Sequence, residues 1–116
     1  MTKRILMVEE DDLQREIIRL ILEDSDCELH LVHSSQQAMD KIQQQEFDVI
    51  VMDVAMPRDG AYVAAAMRQT LANKATQFIA SGASNFKRHA KQWAKFGFDD
   101  CLAKPFLGPE LERLVA

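Results

Sequence analysis

The sequence predicts an α/β domain in which a parallel sheet is covered by helices on both faces. Three observations carry that expectation. A short apolar run followed by a stretch of helical period recurs five times along the chain. The run at residues 47–52, Phe-Asp-Val-Ile-Val-Met, precedes a turn containing Pro57 and Gly60 and reads as a buried parallel strand. Four of the runs end in polar or charged residues, and open α/β sheets bind ligands at the carboxyl ends of their strands.

Residues 5–8, Ile-Leu-Met-Val, are the first predicted strand. Glu9, Glu10, Asp11 and Asp12 come next and suit a helix N-terminus, because carboxylates meet the positive end of the helix dipole there. Leu13, Ile17, Leu20 and Ile21 then share a helical face, the candidate buried stripe. Residues 28–32 are a shorter, partly polar strand. Ser34 or Ser35 can cap a second helix that turns Ala38, Met39 and Ile42 inward. After the third strand and its turn, a helix is expected from Tyr62 to about Leu71, with Val63, Ala66, Met67 and Thr70 on one face. Residues 76–80 form the fourth strand and Ser81-Gly82-Ala83 a loop. Phe86, Ala90, Trp93 and Ala94 mark a fourth helix that stops near Gly97. Residues 101–103 make a short fifth strand, ended by Lys104-Pro105. Pro109 suits the first turn of a last helix, with Leu111, Leu114 and Val115 inward.

Bulk properties narrow the classes. A chain of 116 residues suits one domain and can bury a core without covalent help. Its net charge is −4, from 14 basic and 18 acidic residues, so the basic footprint of a nucleic-acid binder is missing. The basic cluster Lys87-Arg88-His89, with Lys91 and Lys95, reads as a solvated helix face. Cys27 and Cys101 lack metal spacing and read as reduced thiols. His30, His33 and His89 show no ligand spacing either. No apolar stretch reaches the roughly 18 residues of a membrane helix, and no signal peptide is visible. A cytoplasmic domain spanning residues 1–116 is expected, its short last helix suggesting a piece of something longer.

The chemistry gathers at the strand ends: Glu9 and Glu10 after the first strand, Asp53 after the third, Ser81 after the fourth and Lys104 after the fifth. Each has an ordinary reading alone. The acids could favour a helix N-terminus, Asp53 could cap a turn, Ser81 could be a turn residue and Lys104 a surface one. In a parallel sheet, however, all these ends lie on one edge. Clustered carboxylates there call for a hard dication such as Mg²⁺ with oxygen ligands. A lysine and a hydroxyl beside them make a cradle for a tetrahedral oxyanion at Asp53.

Those residues resemble the receiver domain of two-component response regulators. The motifs are Ile-Leu-Met-Val-Glu-Glu-Asp at positions 5–11, Asp53 with Met56-Pro57 and Asp59-Gly60, Ser81-Gly82, and Lys104-Pro105-Phe106. The likeness runs from Lys3 to about Val115. It implies a flavodoxin-like sheet of order 2-1-3-4-5. It also implies a signalling switch rather than a turnover enzyme. A histidine kinase or histidine phosphotransfer protein would present phosphohistidine, and Asp53 would attack the phosphorus. By the same resemblance Mg²⁺ would be held by Asp53, by Glu10 directly with Glu9 behind it, and by the backbone carbonyl of Ala55. Lys104 would pair with the phosphate and Ser81 would swing toward it. The readout would pass through helix four, strand five and helix five to a downstream protein or attached effector domain. This domain itself would touch neither nucleic acid nor membrane, and the family allows a homodimer.

The chain departs from the family pattern in three places. Glu10 stands where the family mostly has Asp, one methylene shorter. The turn between Pro57 and Asp59 is one residue short. Cys101 replaces the aromatic that normally moves inward with the switch hydroxyl, and plain packing is its simplest role. Ala55 and Ala83 are small residues at positions that tune dephosphorylation in the family, implying a phosphate open to water. These departures leave an alternative open: a degenerate receiver acting as a phosphorylation-independent interaction module. A nucleotide- or flavin-binding domain is the distant third reading, and it lacks a Gly-rich fingerprint after the first strand.

Overall fold

Parallel strands need crossovers, and each crossover here is a helix. The computed structural model describes residues 2–54, 60–71, 75–82, 90–106 and 108–116, apart from the side chains of residues 60–63 and 90. The elements are β1 (Lys3–Val8), α1 (Asp12–Leu22), β2 (Cys27–Val32), α2 (Ser35–Gln44), β3 (Val49–Asp53), α3 (Gly60–Thr70), β4 (Gln77–Gly82), α4 (Ala90–Ala94), β5 (Asp100–Ala103) and α5 (Gly108–Val115). They build a five-stranded sheet of order β2-β1-β3-β4-β5. Every neighbouring pair is parallel. The expected fold is therefore the observed one.

Side chains alternate across each strand, so the sheet has two apolar layers. Ile5, Met7, Val49, Val51, Ile79 and Leu102 face α1 and α5, meeting Ile18, Leu22 and Leu111. Leu6, Val8, Ile50, Met52, Phe78, Ala80 and Cys101 face the other way, onto Ala38, Ile42, Ala64, Met67 and Leu71. β3 is buried at all five positions, because both faces are covered. Phe78 and Phe98 stack with ring centroids 4.3 Å apart and fill the second layer beneath α4.

Helix ends obey local chemistry. The Asp11 carboxylate accepts from the amides of Leu13 and Gln14 and starts α1. Ser34, not Ser35, caps α2 by accepting from Gln37 N–H. Gly97 turns the chain from α4 toward β5 at φ 94°. A Cβ there would come within 2.7 Å of Arg68 Cγ, and Arg68 Nε donates to the Gly97 carbonyl at 2.7 Å. Glycine is required on both counts.

Two predicted helix faces are corrected. On α1, Leu13, Ile17 and Leu20 are exposed, and the buried positions are Ile18 and Leu22. The inward stripe is Arg15, Ile18 and Leu22, spaced i, i+3, i+7, with the expected Ile21 partly buried against the same layer. A charged residue at its first position conceals it from a hydrophobic count. Of the expected α3 face, Met67 is buried, Ala66 and Thr70 face water, and the side chain of Val63 lies outside the described residues; Ala64 and, just past the helix, Leu71 are also buried. The Thr70 hydroxyl donates to the Ala66 carbonyl at 3.1 Å. β4 also runs two residues past Ala80, so Ser81 and Gly82 belong to the strand. Ala83, Phe86 and the basic run Lys87-Arg88-His89 lie outside the described residues.

Candidate phosphoryl-acceptor site

The alternation that builds the α1/α5 layer also builds the site. Two residues beyond Met7 stands Glu9, beyond Val51 Asp53, beyond Ile79 Ser81, and beyond Leu102 Lys104. The next residue of each strand on that face is therefore polar, and all four stand at the carboxyl edge. Asp53 and Ser81 are direct register partners across β3 and β4. Backbone bonds square off this edge: Val54 N–H donates to Ser81 C=O at 3.0 Å and Lys104 N–H to Gly82 C=O at 2.7 Å.

Three of these side chains meet. Lys104 Nζ lies 2.6 Å from Glu9 Oε1 and 2.9 Å from Asp53 Oδ2. Glu9 and Asp53 are 2% and 5% exposed, and Ser81 1%. Two buried carboxylates thus share one ammonium group. The other oxygen of Glu9 accepts from Asp11 N–H at 3.1 Å, where the chain turns into α1. Burial pushes the Glu9 carboxyl above its ordinary pKa, with the Asp53 charge adding to the rise, against the lowering pull of Lys104 and Asp11 N–H. For Lys104 burial works the opposite way, but hydrogen bonds and charges from Glu9 and Asp53 outweigh it and raise the ammonium pKa. The lysine is held firmly charged.

Glu10 stands apart from this trio, its side chain exposed at the rim. Ala55 lies outside the described residues. The acid buried beside Asp53 is Glu9, and strand parity was the signal for it. Among the described residues, no group of three or more acidic, histidine or cysteine side chains is arranged to hold a metal ion. The donors present are carboxylate oxygens, the set a hard divalent cation prefers. Glu9 and Asp53 would contribute from inside the pocket and Glu10 from the rim. A bound cation there would supply charge neutralisation.

The response regulator receiver domain family matches residues 5–116. This chain belongs to that family. Response regulator MprA from Mycobacterium bovis is 36% identical over 117 residues, which is 100% of this chain and 49% of MprA. The chain thus spans about half of that relative. A Francisella response regulator receiver domain superposes with a TM-score of 0.83 at 27% identity, covering 97% of this chain and 93% of that one. The receiver domain of Ssk1 from Saccharomyces cerevisiae, solved with the histidine phosphotransfer protein Ypd1, gives a TM-score of 0.86 at 20% identity. That match covers 98% of this chain and 86% of the other. Receiver domains are signalling switches of two-component systems and bind a divalent metal at the phosphorylation site. No helix among the described residues is long and apolar enough to cross a membrane.

Proposed function

We propose that this receiver domain takes a phosphoryl group from a phosphohistidine partner onto Asp53, with Mg²⁺, and that the new charge alters partner binding. One observation carries the proposal: Asp53, buried at a strand end, shares Lys104 with a second buried acid. An Asp53 oxygen attacks the phosphorus, the P–N bond of phosphohistidine breaks as the P–O bond forms, and the imidazole leaves. The protein contributes position and charge. Lys104 already sits 2.9 Å from Asp53 Oδ2, so it can track the phosphoryl oxygens once the carboxylate is esterified. Ser81, opposite Asp53 in register, can offer its hydroxyl to the same group. The acyl phosphate carries about 1.5 to 2 negative charges where the carboxylate carried one, and it adds three oxygen acceptors beside Lys104, enough to bias the segments that follow β3 and β4.

A protein donor needs a surface beside the pocket. α1 begins two residues after Glu10 and presents Leu13, 66% exposed, then Ile17 and Leu20 along one face. Exposed apolar residues grouped in this way suit an apolar helix of the donor.

One observation favours the second reading, a phosphorylation-independent interaction module. Glu10 is exposed, and the buried acid beside Asp53 is already paired with Lys104. The two readings separate in an intact-mass measurement after incubation with acetyl phosphate and Mg²⁺. A single metal-dependent phosphoryl group on wild type, missing from Asp53→Asn and from a metal-free control, is the expected result. An unmodified wild type that also fails to bind beryllofluoride would establish the interaction module instead.

A further inference from the structure

Glu9 and Glu10 belong to a short segment between β1 and α1, where a chain is free to swivel unless something holds it. Its amide side is held: Glu9 N–H donates to Val32 C=O of β2 at 3.0 Å. Its carbonyl side is held by a single side chain. Arg15 Nη1 donates to Glu9 C=O at 2.8 Å and to Glu10 C=O at 2.9 Å. Arg15 Nη2 engages the Asp12 carboxylate. The Arg15 side chain is 18% exposed and occupies the first inward position of α1, ahead of Ile18 and Leu22. Helical side chains lean toward the N-terminus, so a residue one turn into α1 lies back over the segment that precedes the helix.

We infer that Arg15 is a positioning residue for the acidic pair, fixing the peptide planes on either side of Glu10 so that both acids are presented to the pocket. The inference rests on the metal-dependent reading of the site. Both carbonyls stand at the junction of strand and helix, and the planar fork supplies a donor to each while keeping a second nitrogen for Asp12. Lysine carries the same charge but lacks the rigid fork. Fixing the acids and repelling a cation are opposite effects of one residue. Removing a positive charge near an acidic pocket strengthens cation binding by Coulomb attraction, whereas releasing the acids weakens it. The sign of the change therefore identifies the role.

The test compares Mg²⁺ binding by calorimetry in wild type, Arg15→Gln and Arg15→Lys, together with NMR amide exchange at Asp11, whose N–H donates to Glu9 Oε2. Positioning predicts affinity weakened about ten- to a hundredfold in both variants. It also predicts faster exchange at Asp11 with protection at Ile50 unchanged, which shows that the fold persists. Tighter binding in Arg15→Gln, or full affinity in Arg15→Lys, overturns it. Should wild type itself bind no Mg²⁺, the proposed function fails instead. The exchange data then decide alone: faster exchange at Asp11 in both variants supports the clamp, and unchanged exchange overturns it.

Discussion

Two charged networks stand on the same sheet with nearly the same bond lengths and opposite physical character. At the carboxyl edge Lys104 binds Glu9 and Asp53 at 2.6 and 2.9 Å, and the three side chains are 20%, 3% and 7% exposed. On β1 and β2, Arg4 and His30 both bind Glu28 Oε2 at 2.7 Å, with Arg4 and Glu28 38% and 48% exposed. Lys41 from α2 extends that second network by donating to His30 Nδ1 at 3.2 Å. The carboxyl groups respond in opposite directions. Glu9 is raised, chiefly by burial. Glu28 is lowered, chiefly by its bond with His30, with Arg4 assisting. Contact distance is therefore a poor guide to what an ion pair does. Desolvation decides whether charge is held under tension, as a switch requires, or merely arranged on a surface.

The largest expected effect comes from removing the shared cation. Lys104→Ala leaves Glu9 and Asp53 facing each other in a buried pocket. Metal-free stability at neutral pH should fall by about 3 kcal/mol, the scale for breaking a buried pair from one side. Denaturant unfolding checks this, and the loss should shrink in acid as the carboxyls take up protons. The same variant sharpens the functional reading. Phosphoryl uptake from acetyl phosphate should survive better than the change in partner binding, because Lys104 tracks the group more than it delivers it. Equal partner binding by phosphorylated wild type and phosphorylated Lys104→Ala would refute that division.

A smaller effect concerns pH. The folded state holds a proton on Glu9 at pH values where the unfolded chain has lost it. The stability Glu9 contributes is thus complete below its unfolded pKa and is lost as pH rises through its higher folded pKa. Glu9→Gln should remove this loss. Metal-free unfolding free energies of wild type, measured upward from the ordinary glutamate range, should decline relative to the variant. Parallel curves would mean that burial does not govern this acid, and the contrast with Glu28 would collapse.

The sheet and the strand ends were legible in the sequence because both depend on local pattern. Residues 47–52 read as a strand buried on both faces, and Asp53, Ser81 and Lys104 each come directly after an apolar run. The buried acid was not: the resemblance points first to Glu10 with Glu9 behind it, whereas the fold buries Glu9 beside Asp53 and leaves Glu10 exposed. The faces of α1 and α3 were legible only in part: Ile21 and Met67 do pack on the core, while Leu13, Ile17, Leu20, Ala66 and Thr70 do not. α1 has enough apolar residues for two stripes, and the inward one begins with Arg15, whose charge serves backbone carbonyls. On α3, the choice between Ala64 and Ala66 as the inward alanine depends on how the helix sits on the sheet. A charge whose partners are carbonyls leaves no trace in a pattern of apolar residues. It becomes visible only when the chain is folded.

The smallest expected effect is at the other network, and it is the control for the comparison. Arg4→Gln removes one of the two donors on Glu28 Oε2 while His30 keeps the other. It also removes the bond from Arg4 Nη1 to Glu46 C=O at 3.2 Å. The backbone at this position is untouched: Arg4 N–H still donates to the Asp48 carboxylate at 2.8 Å, and Asp48 N–H to Arg4 C=O at 2.8 Å. Water can replace the guanidinium at an exposed carboxylate, and added salt already screens the pair. The denaturant midpoint of Arg4→Gln should therefore match wild type within error, at low and at high ionic strength. A loss approaching that of Lys104→Ala would show that sharing one carboxylate oxygen between two donors, rather than burial, is what makes an ion pair matter on this sheet.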